Sequence, residues 1–228
     1  MNPVIKGLYA DPDIIKVGDT YYIYPTTDGY DGWGGFAFSV FASKDLVHWE
    51  NMGKILDFHE DDIWAKECAW APCMLCINNM FYFYFCGKRK DGVSCIGVAY
   101  SNSPTGPFTV KNEPVVEIER IKELGIKDMA QTIDPSVYVE GDKAYLLFGN
   151  CAPAIALLSD DFLSIKEDTL QKLEGAYEFR EAITVLKKDG LYHFTWSCDD
   201  TGSEDYHVNY GVSEHLYGPI NFRYTVLS

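Results

Sequence analysis

Three acidic side chains occupy matching places in similar stretches of this sequence, and such a set suits acid–base chemistry. The stretches begin at Asp11, Asp134 and Glu181, and Ala71 begins a fourth. Crowded carboxylates repel one another and lose hydration, so they are costly without a role. Hydrolysis of a glycosidic bond needs one protonated carboxyl group to donate to the leaving oxygen and one ionised carboxylate to activate water or attack carbon. A third carboxylate can raise the pKa of the acid or orient it.

Two other acids compete with this set. Asp13 lies two residues after Asp11 and therefore on the same face of a strand, which makes it a rival base. Glu67 is a rival acid, but it lies outside the shared spacing. A structural alternative is that the three main carboxylates cap turns or pair with Lys and Arg. The shared spacing favours function, because acids crowded in one place shift each other's pKa values.

The four stretches align without gaps, which indicates a structural repeat. Polar residues follow each first residue at a distance of eight: Asp19, Asn79, Asp142 and Asp189. Tyrosines follow at a distance of eleven: Tyr22, Tyr82, Tyr145 and Tyr192. Each stretch therefore predicts a β-hairpin, with an apolar strand, a tight polar turn and an aromatic strand. In this alignment Glu181 is equivalent to Asp11.

The segments after each hairpin also repeat, and they predict a third strand, a turn and an outer fourth strand. Units of this size with four strands are propeller blades, which stack around an axis because one blade cannot bury both of its faces alone. The sequence predicts an all-β fold, a β-propeller with four recognisable blades, as a single catalytic domain over residues 1–228. The innermost strands would line a central channel and place the three carboxylates near it.

The charge balance excludes some classes of partner. The chain of 228 residues has 34 acidic and 19 basic residues, which gives a formal net charge of −15. Such a surface repels phosphate backbones and anionic lipid, so neither nucleic acid nor a membrane is an expected partner. Neutral carbohydrate is compatible with this charge.

Cysteine usage and the N-terminus bear on location and cofactors. The seven cysteines are an odd number in a large chain, which does not suggest a disulfide framework. Cys73 and Cys76 form a CxxC pair, but residues three apart in a strand point to opposite faces, so packing is favoured over a metal or redox site. The first thirteen residues lack the apolar core of a signal peptide, and the expected location is the cytoplasm.

Together these motifs resemble glycoside hydrolase family 43, whose members are five-bladed propeller enzymes acting on polysaccharides that contain arabinose and xylose, such as xylan. The resemblance covers nearly the whole chain. The segments that carry it are Asn2-Pro3 with Tyr9-Ala10-Asp11-Pro12, Trp70-Ala71-Pro72, Ile133-Asp134-Pro135-Ser136-Val137, and Arg180-Glu181-Ala182 ahead of Gly190-Leu191-Tyr192.

The resemblance implies a role for each carboxylate. Asp11 would be the general base that activates water, Glu181 the general acid, and Asp134 the residue that tunes the pKa of Glu181 and orients it. The family inverts the anomeric configuration, which implies that base and acid lie about 6.5–9.5 Å apart, leaving room for water.

Two departures from the family pattern stand out. The chain has Glu181-Ala182-Ile183 where the family usually has Glu-Gly-Pro. It also stops after its fourth repeat, so the resemblance implies a C-terminally truncated propeller or one that closes through a partner copy. No cofactor is expected, because a structural calcium ion in the channel would lack the His that the fifth blade usually supplies. The oligomeric state is left open.

Three further residues are expected to bind substrate. Trp70 and Trp33 offer aromatic faces to the C–H groups of a sugar ring, with core packing as the alternative for Trp70. Arg180 would hold a sugar hydroxyl or pair with Glu178.

The leading functional hypothesis is an inverting, exo-acting enzyme, an α-L-arabinofuranosidase or β-xylosidase. An endo-acting arabinanase is the alternative within the same chemistry and would need an open groove. A non-catalytic carbohydrate-binding propeller and a plain interaction scaffold are the alternatives outside it, but a scaffold would not require acids at the axis.

Overall fold

The computed structural model describes residues 3–227, so Asn2 of the first family-like motif lies outside the described residues. Four successive groups of four antiparallel strands follow one another along the chain. The chain divides into two compact units, Met1–Pro114 and Val115–Ser228, and each unit contains two of these sheets. The four sequence repeats are therefore four sheets.

The first unit contains the sheets that grow from Asp11 and Ala71. Within each sheet, successive strands are hydrogen-bonded neighbours. The first sheet consists of β1 (Tyr9–Val17), β2 (Thr20–Thr27), β3 (Ala37–Ser43) and β4 (Glu50–Asp57). The second consists of β5 (Glu67–Ile77), β6 (Met80–Lys88), β7 (Ser94–Ser101) and β8 (Thr109–Val110). A 3-10 turn, Asp31–Trp33, lies between β2 and β3.

The second unit opens with β9 (Val116–Glu117) and the short helix α1 (Ile118–Glu123). The third sheet consists of β10 (Ser136–Glu140), β11 (Lys143–Phe148), β12 (Ala154–Leu157) and β13 (Gln171–Lys172). The fourth consists of β14 (Phe179–Lys188), β15 (Leu191–Cys198), β16 (His207–Ser213) and β17 (Asn221–Leu227). Within residues 3–227, no helix is both long and apolar enough to cross a membrane.

Tight turns join the first two strands of every sheet, as the sequence predicts. Gly18 and Gly141 are the first residues of their turns and have positive φ angles of 58° and 67°. In the fourth sheet the order is reversed, because Asp189 (φ 51°) precedes Gly190 (φ 81°). Gly and Asp accept the left-handed conformation that such hairpin turns require.

The reversed order of the two turn residues displaces the sequence alignment of the fourth hairpin by one residue from its strand pairing. Three pairs occupy the same place in their sheets: Ala10 with Thr26, Trp70 with Cys86, and Glu181 with Ser197. The expectation that Glu181 is equivalent to Asp11 is therefore wrong by one position, and Ala182 takes that place. The cause is that the sequence alignment matches Asp189 to Asp19. Asp19 is the second residue of the first hairpin's turn, whereas Asp189 is the first residue of the fourth hairpin's turn.

A left-handed backbone residue lies at this equivalent place in every sheet. The four residues are Asp11 (φ 43°), Ala71 (φ 39°), Asp134 (φ 56°) and Ala182 (φ 56°). Strand pairing is irregular around three of them, between Ala10 and Asp13, between Trp70 and Cys73, and between Glu181 and Thr184. Positive φ angles cost non-glycine residues roughly 1–3 kcal/mol each and persist only where the surrounding structure holds them.

Aromatic residues dominate the core of the first unit. Phe83 is fully buried in the middle of β6 and contacts the rings of Phe38, at 5.0 Å between centroids, and Tyr24, at 5.8 Å. In the second unit, the core includes Trp196 and Phe194 of the fourth sheet and Leu147 of the third. These cores pack the two sheets of each unit against each other and fix where their first strands begin.

The CxxC residues lie on opposite faces of β5, as expected. Cys76 is exposed, whereas Cys73 is only partly accessible and pairs with Tyr84 of β6. Among the described residues, the seven cysteines form no disulfide.

Phe83→Ala should lower the free energy of unfolding by about 3–5 kcal/mol, because it removes a buried ring and leaves a cavity among other rings. Met52→Ala, at a site on β4 where the side chain is exposed, is the matched control and should change it by less than about 0.5 kcal/mol. Chemical denaturation measures both values. Equal losses in the two variants would contradict the placement of the core.

Candidate functional site

Asp11 is held at the bend of β1 by one hydrogen bond. The Thr26 hydroxyl donates to Asp11 Oδ2 at 3.0 Å. Within residues 3–227, no donor reaches the other carboxylate oxygen, Oδ1. Loss of hydration raises the pKa of Asp11, Thr26 opposes this by donating to the carboxylate, and the negative charge of Asp28 adds to it. The result is a carboxylate fixed through one oxygen, while the other oxygen has no donor within residues 3–227.

The second sheet determines the direction of the Thr26 hydroxyl. The backbone N–H of Ala71 donates to Thr26 Oγ1 at 2.8 Å. A hydroxyl has only one proton to donate, and here that proton points to Asp11. Thr26 is 5% exposed, so water does not compete readily for this arrangement. The left-handed residue of the second sheet thus supports the carboxylate of the first.

Asp13, the rival base, has a structural role instead. Its Oδ2 accepts the N–H of Met74 at 2.6 Å, and its Oδ1 accepts the N–H of Ile14 at 2.9 Å. Burial raises the pKa of Asp13, and the two backbone hydrogen bonds partly offset this by lowering it. Since both oxygens bind backbone, Asp13 fastens β1 to β5, and Asp11 is the acid better placed to meet a water molecule.

In the second unit, Asp134 and Glu181 lie close to each other. Asp134 Oδ2 accepts the N–H of Ala182 at 3.1 Å. Because Ala182 directly follows Glu181, this bond fixes the backbone that carries the Glu181 side chain. The Asn150 side-chain amide donates to Glu181 Oε2 at 3.0 Å. Asp134 therefore contacts the backbone beside Glu181, and Asn150 contacts the Glu181 carboxyl group.

The two tryptophans of the first unit also meet. The indole N–H of Trp70 donates to the carbonyl oxygen of Trp33 at 2.6 Å. The Lys88 ammonium lies 5.2 Å from the centre of the Trp70 ring. Trp33 is 59% exposed and is the last residue of a kinked 3-10 turn, so its ring is accessible for stacking. Trp70 is only partly buried, which leaves some of its surface accessible.

Arg180 pairs with a partner that the sequence did not suggest. Its Nη2 donates to Asp200 Oδ2 at 3.0 Å, and its Nη1 donates to Cys151 Sγ at 3.6 Å. The expected alternative, a pair with Glu178, is wrong, because the closest ionic contact of Glu178 is to His207, at 3.8 Å. Asp200 lies in the loop after β15, which sequence spacing does not bring to Arg180.

Sequence reasoning missed the two neutral residues that hold the carboxyl groups, Thr26 and Asn150. Both lie near the end of the second strand of their hairpins, after a run of apolar and aromatic residues. A polar residue at that place, beside the start of the first strand, is the signal that identifies them.

Among residues 3–227, no group of three or more His, Cys, Asp or Glu side chains is placed to hold a metal ion. The expectation that the chain needs no calcium ion in its channel stays a prediction.

Asp13 and Asp11 should respond differently to substitution. Asp13→Ala leaves two backbone N–H groups without their acceptor and should lower the free energy of unfolding by about 1–3 kcal/mol. Asp11→Asn should leave it unchanged or raise it at pH 7, because the folded-state pKa of Asp11 is raised and its ionised form is therefore disfavoured by folding. Urea denaturation at pH 7 tests both, and the reverse order of stabilities would contradict these assignments.

Comparison with known proteins places this arrangement in a family. The sequence matches the model of glycosyl hydrolases family 43 over residues 1–226. It is 29% identical over 232 residues to the β-D-galactofuranosidase xynD of Aspergillus niger, covering 96% of this chain and 65% of that protein. It is 26% identical over 282 residues to the xylosidase/arabinosidase 43A of Humicola insolens, covering 97% and 81%.

The comparison with solved structures also points to family 43. A family 43 β-xylosidase/α-arabinofuranosidase from a compost microbial metagenome, solved with xylotriose in a calcium-free form, is 26% identical. It superposes with a TM-score of 0.82 over 99% of this chain and 80% of that one. The expected fold class is confirmed as an all-β propeller with four recognisable blades. Because the family model matches almost the full sequence, the chain belongs to glycoside hydrolase family 43.

Proposed function

We propose that this chain is an inverting glycoside hydrolase that removes arabinose or xylose from plant-type polysaccharides or oligosaccharides. The observation that carries the proposal is the state of Asp11, a fixed carboxylate with a raised pKa and one oxygen without a donor among the described residues. Family membership and the names of the relatives support this substrate class. Because the chain spans 65% of the length of the galactofuranosidase relative, the activity is proposed for the chain and tested on it.

In the proposed reaction Asp11 takes a proton from water through Oδ1. The oxygen of that water bonds to the anomeric carbon from the face opposite the leaving group. The glycosidic C–O bond breaks, and Glu181 gives its proton to the departing oxygen. A base with a raised pKa accepts the proton more readily.

Asp134 acts on the acid through the backbone. Its bond to the N–H of Ala182 keeps the residue next to Glu181 in the left-handed conformation. A negative charge beside Glu181 also favours the protonated acid. Trp33 and Trp70 would stack on sugar rings, and Arg180, held by Asp200, would bind a hydroxyl.

Removal of the acid tests the proposal directly. Glu181→Ala should lower kcat on p-nitrophenyl β-D-xyloside or α-L-arabinofuranoside by roughly 10²–10⁴-fold, the range of general acid catalysis. Glu178→Ala removes an exposed acid from the same segment and should retain activity. Unchanged turnover in Glu181→Ala would exclude Glu181 as the acid. No turnover by the unaltered chain on any aryl glycoside or arabinan would favour the non-catalytic carbohydrate-binding alternative.

The acid limb of the pH profile tests the base. Thr26→Val removes a donor that lowers the pKa of Asp11, so the limb should move to higher pH. Asp28→Asn removes a charge that raises this pKa, so the limb should move to lower pH. Thr26→Ser keeps the hydroxyl and should leave the limb in place. The measurement is kcat/KM against pH, and a limb that responds to none of these changes would exclude Asp11 as the base.

A further inference from the structure

Asn150 is a buried polar residue whose backbone is fixed on both sides. It is 2% exposed. Its N–H donates to the carbonyl oxygen of Gln131 at 3.0 Å, and its own carbonyl oxygen accepts the N–H of Ala130 at 2.9 Å. This bridge fixes the backbone of Asn150 to the segment that precedes β10. Burial of an amide is costly unless its hydrogen-bonding groups are satisfied.

The two ends of the Asn150 amide have different partners. Its Nδ2 donates to Glu181 Oε2 at 3.0 Å, and its Oδ1 accepts the thiol proton of Cys151 at 3.4 Å. Rotating the amide by half a turn would set its oxygen against the carboxyl oxygen Oε2, whereas the Cys151 thiol can both donate and accept. The contact with Glu181 therefore favours the orientation in which the amide is a donor to Oε2.

Cys151 is in turn fixed to the segment that carries the acid. Its Sγ accepts a hydrogen bond from Arg180 Nη1 at 3.6 Å, and its N–H donates to the carbonyl oxygen of Arg180 at 2.8 Å. Because Arg180 directly precedes Glu181, the residues that orient the amide are attached to the same strand as the acid.

We infer that Asn150 is a positioning residue that holds the carboxyl group of Glu181 through Oε2 and thereby directs the acid proton to Oε1. The inference rests on the proposed role of Glu181 as the general acid. The last torsion of a Glu side chain has a broad, roughly two-fold profile, so a carboxyl group needs a donor to select which oxygen faces the substrate. An oxygen that accepts an N–H bond is the unprotonated one. Asp134 fixes the backbone of the acid, and Asn150 fixes its carboxyl group.

The kinetic test compares two buried asparagines of the same unit. Asn150→Ala and the isosteric Asn150→Asp both remove the donor to Glu181. Asn209→Ala is the matched control, because Asn209 is 1% exposed and donates to the Tyr177 carbonyl instead. Thermal denaturation establishes that each variant is folded.

The Asn150 variants should lose about 10–100-fold in kcat on phenyl glycosides, whose leaving group needs protonation, with KM within about two-fold. On 2,4-dinitrophenyl glycosides, whose leaving group needs little protonation, the loss should be less than about three-fold. Asn209→Ala should lose stability without this dependence on the leaving group. An equal loss on both substrates would overturn the inference.

A second readout does not require turnover. In protein labelled with ¹³C at glutamate carboxyl carbons, the signal missing from Glu181→Gln identifies Glu181. Its titration should move to higher pH in Asn150→Ala and further in Asn150→Asp, because a donor to the ionised form is lost and then replaced by a negative charge. Asp134 and Arg180 are unchanged in these variants, and Asn209→Ala should leave the titration in place.

The two readouts separate the inference from the proposed function. If the unaltered chain hydrolyses no glycoside but the titration moves as described, the proposed function fails and the contact between Asn150 and Glu181 stands. If the chain is active but neither the titration nor the dependence on the leaving group responds to Asn150, the inference fails alone.

Discussion

A left-handed backbone residue at the start of each sheet is the constraint on which the carboxylate arrangement depends. In two sheets this residue is itself an acid, Asp11 or Asp134. In the other two it is an alanine, Ala71 or Ala182, whose N–H points to the site of the preceding sheet. The strain of each bend, roughly 1–3 kcal/mol, is thus held by a hydrogen bond between the two sheets of one unit. Strained backbone that is held in this way is typical of functional sites.

In both units a neutral side chain fixes a carboxyl group of the candidate site. Thr26 donates to Asp11, and Asn150 donates to Glu181. Each donor is buried, and each is oriented by a second bond, from the N–H of Ala71 or from the thiol of Cys151. A neutral donor fixes one oxygen without adding a charge, so the carboxyl group can still change its protonation state within a catalytic cycle.

The sequence predicts the hairpins well, because they depend on local patterns. Turn residues and alternating aromatic residues define each hairpin, and Asp11 and Asp134 stand at the same distance from theirs. The register of the fourth hairpin is not predicted, because Asp189-Gly190 and Gly18-Asp19 occupy the same two turn positions in opposite order. The sequence therefore aligns Asp189 with Asp19 instead of Gly18, and Glu181 is placed one residue away from its true equivalent position.

The partners of the site residues are the part that sequence could not supply. Asp200 reaches Arg180 from a loop, and Thr26 looks like any β-branched strand residue until Ala71 of the next sheet is placed beside it. Such contacts depend on how sheets pack, which is decided by the cores around Phe83 and Trp196 rather than by spacing along the chain.

The stereochemistry of the first product tests the central claim most directly, because only a base that activates water on the face opposite the leaving group inverts the anomeric carbon. Proton NMR during hydrolysis of a β-D-xyloside by this chain shows which anomer forms before mutarotation. The account predicts that α-xylose appears first. If β-xylose appears first, a carboxylate attacks the sugar itself, and the role assigned to Asp11 is contradicted.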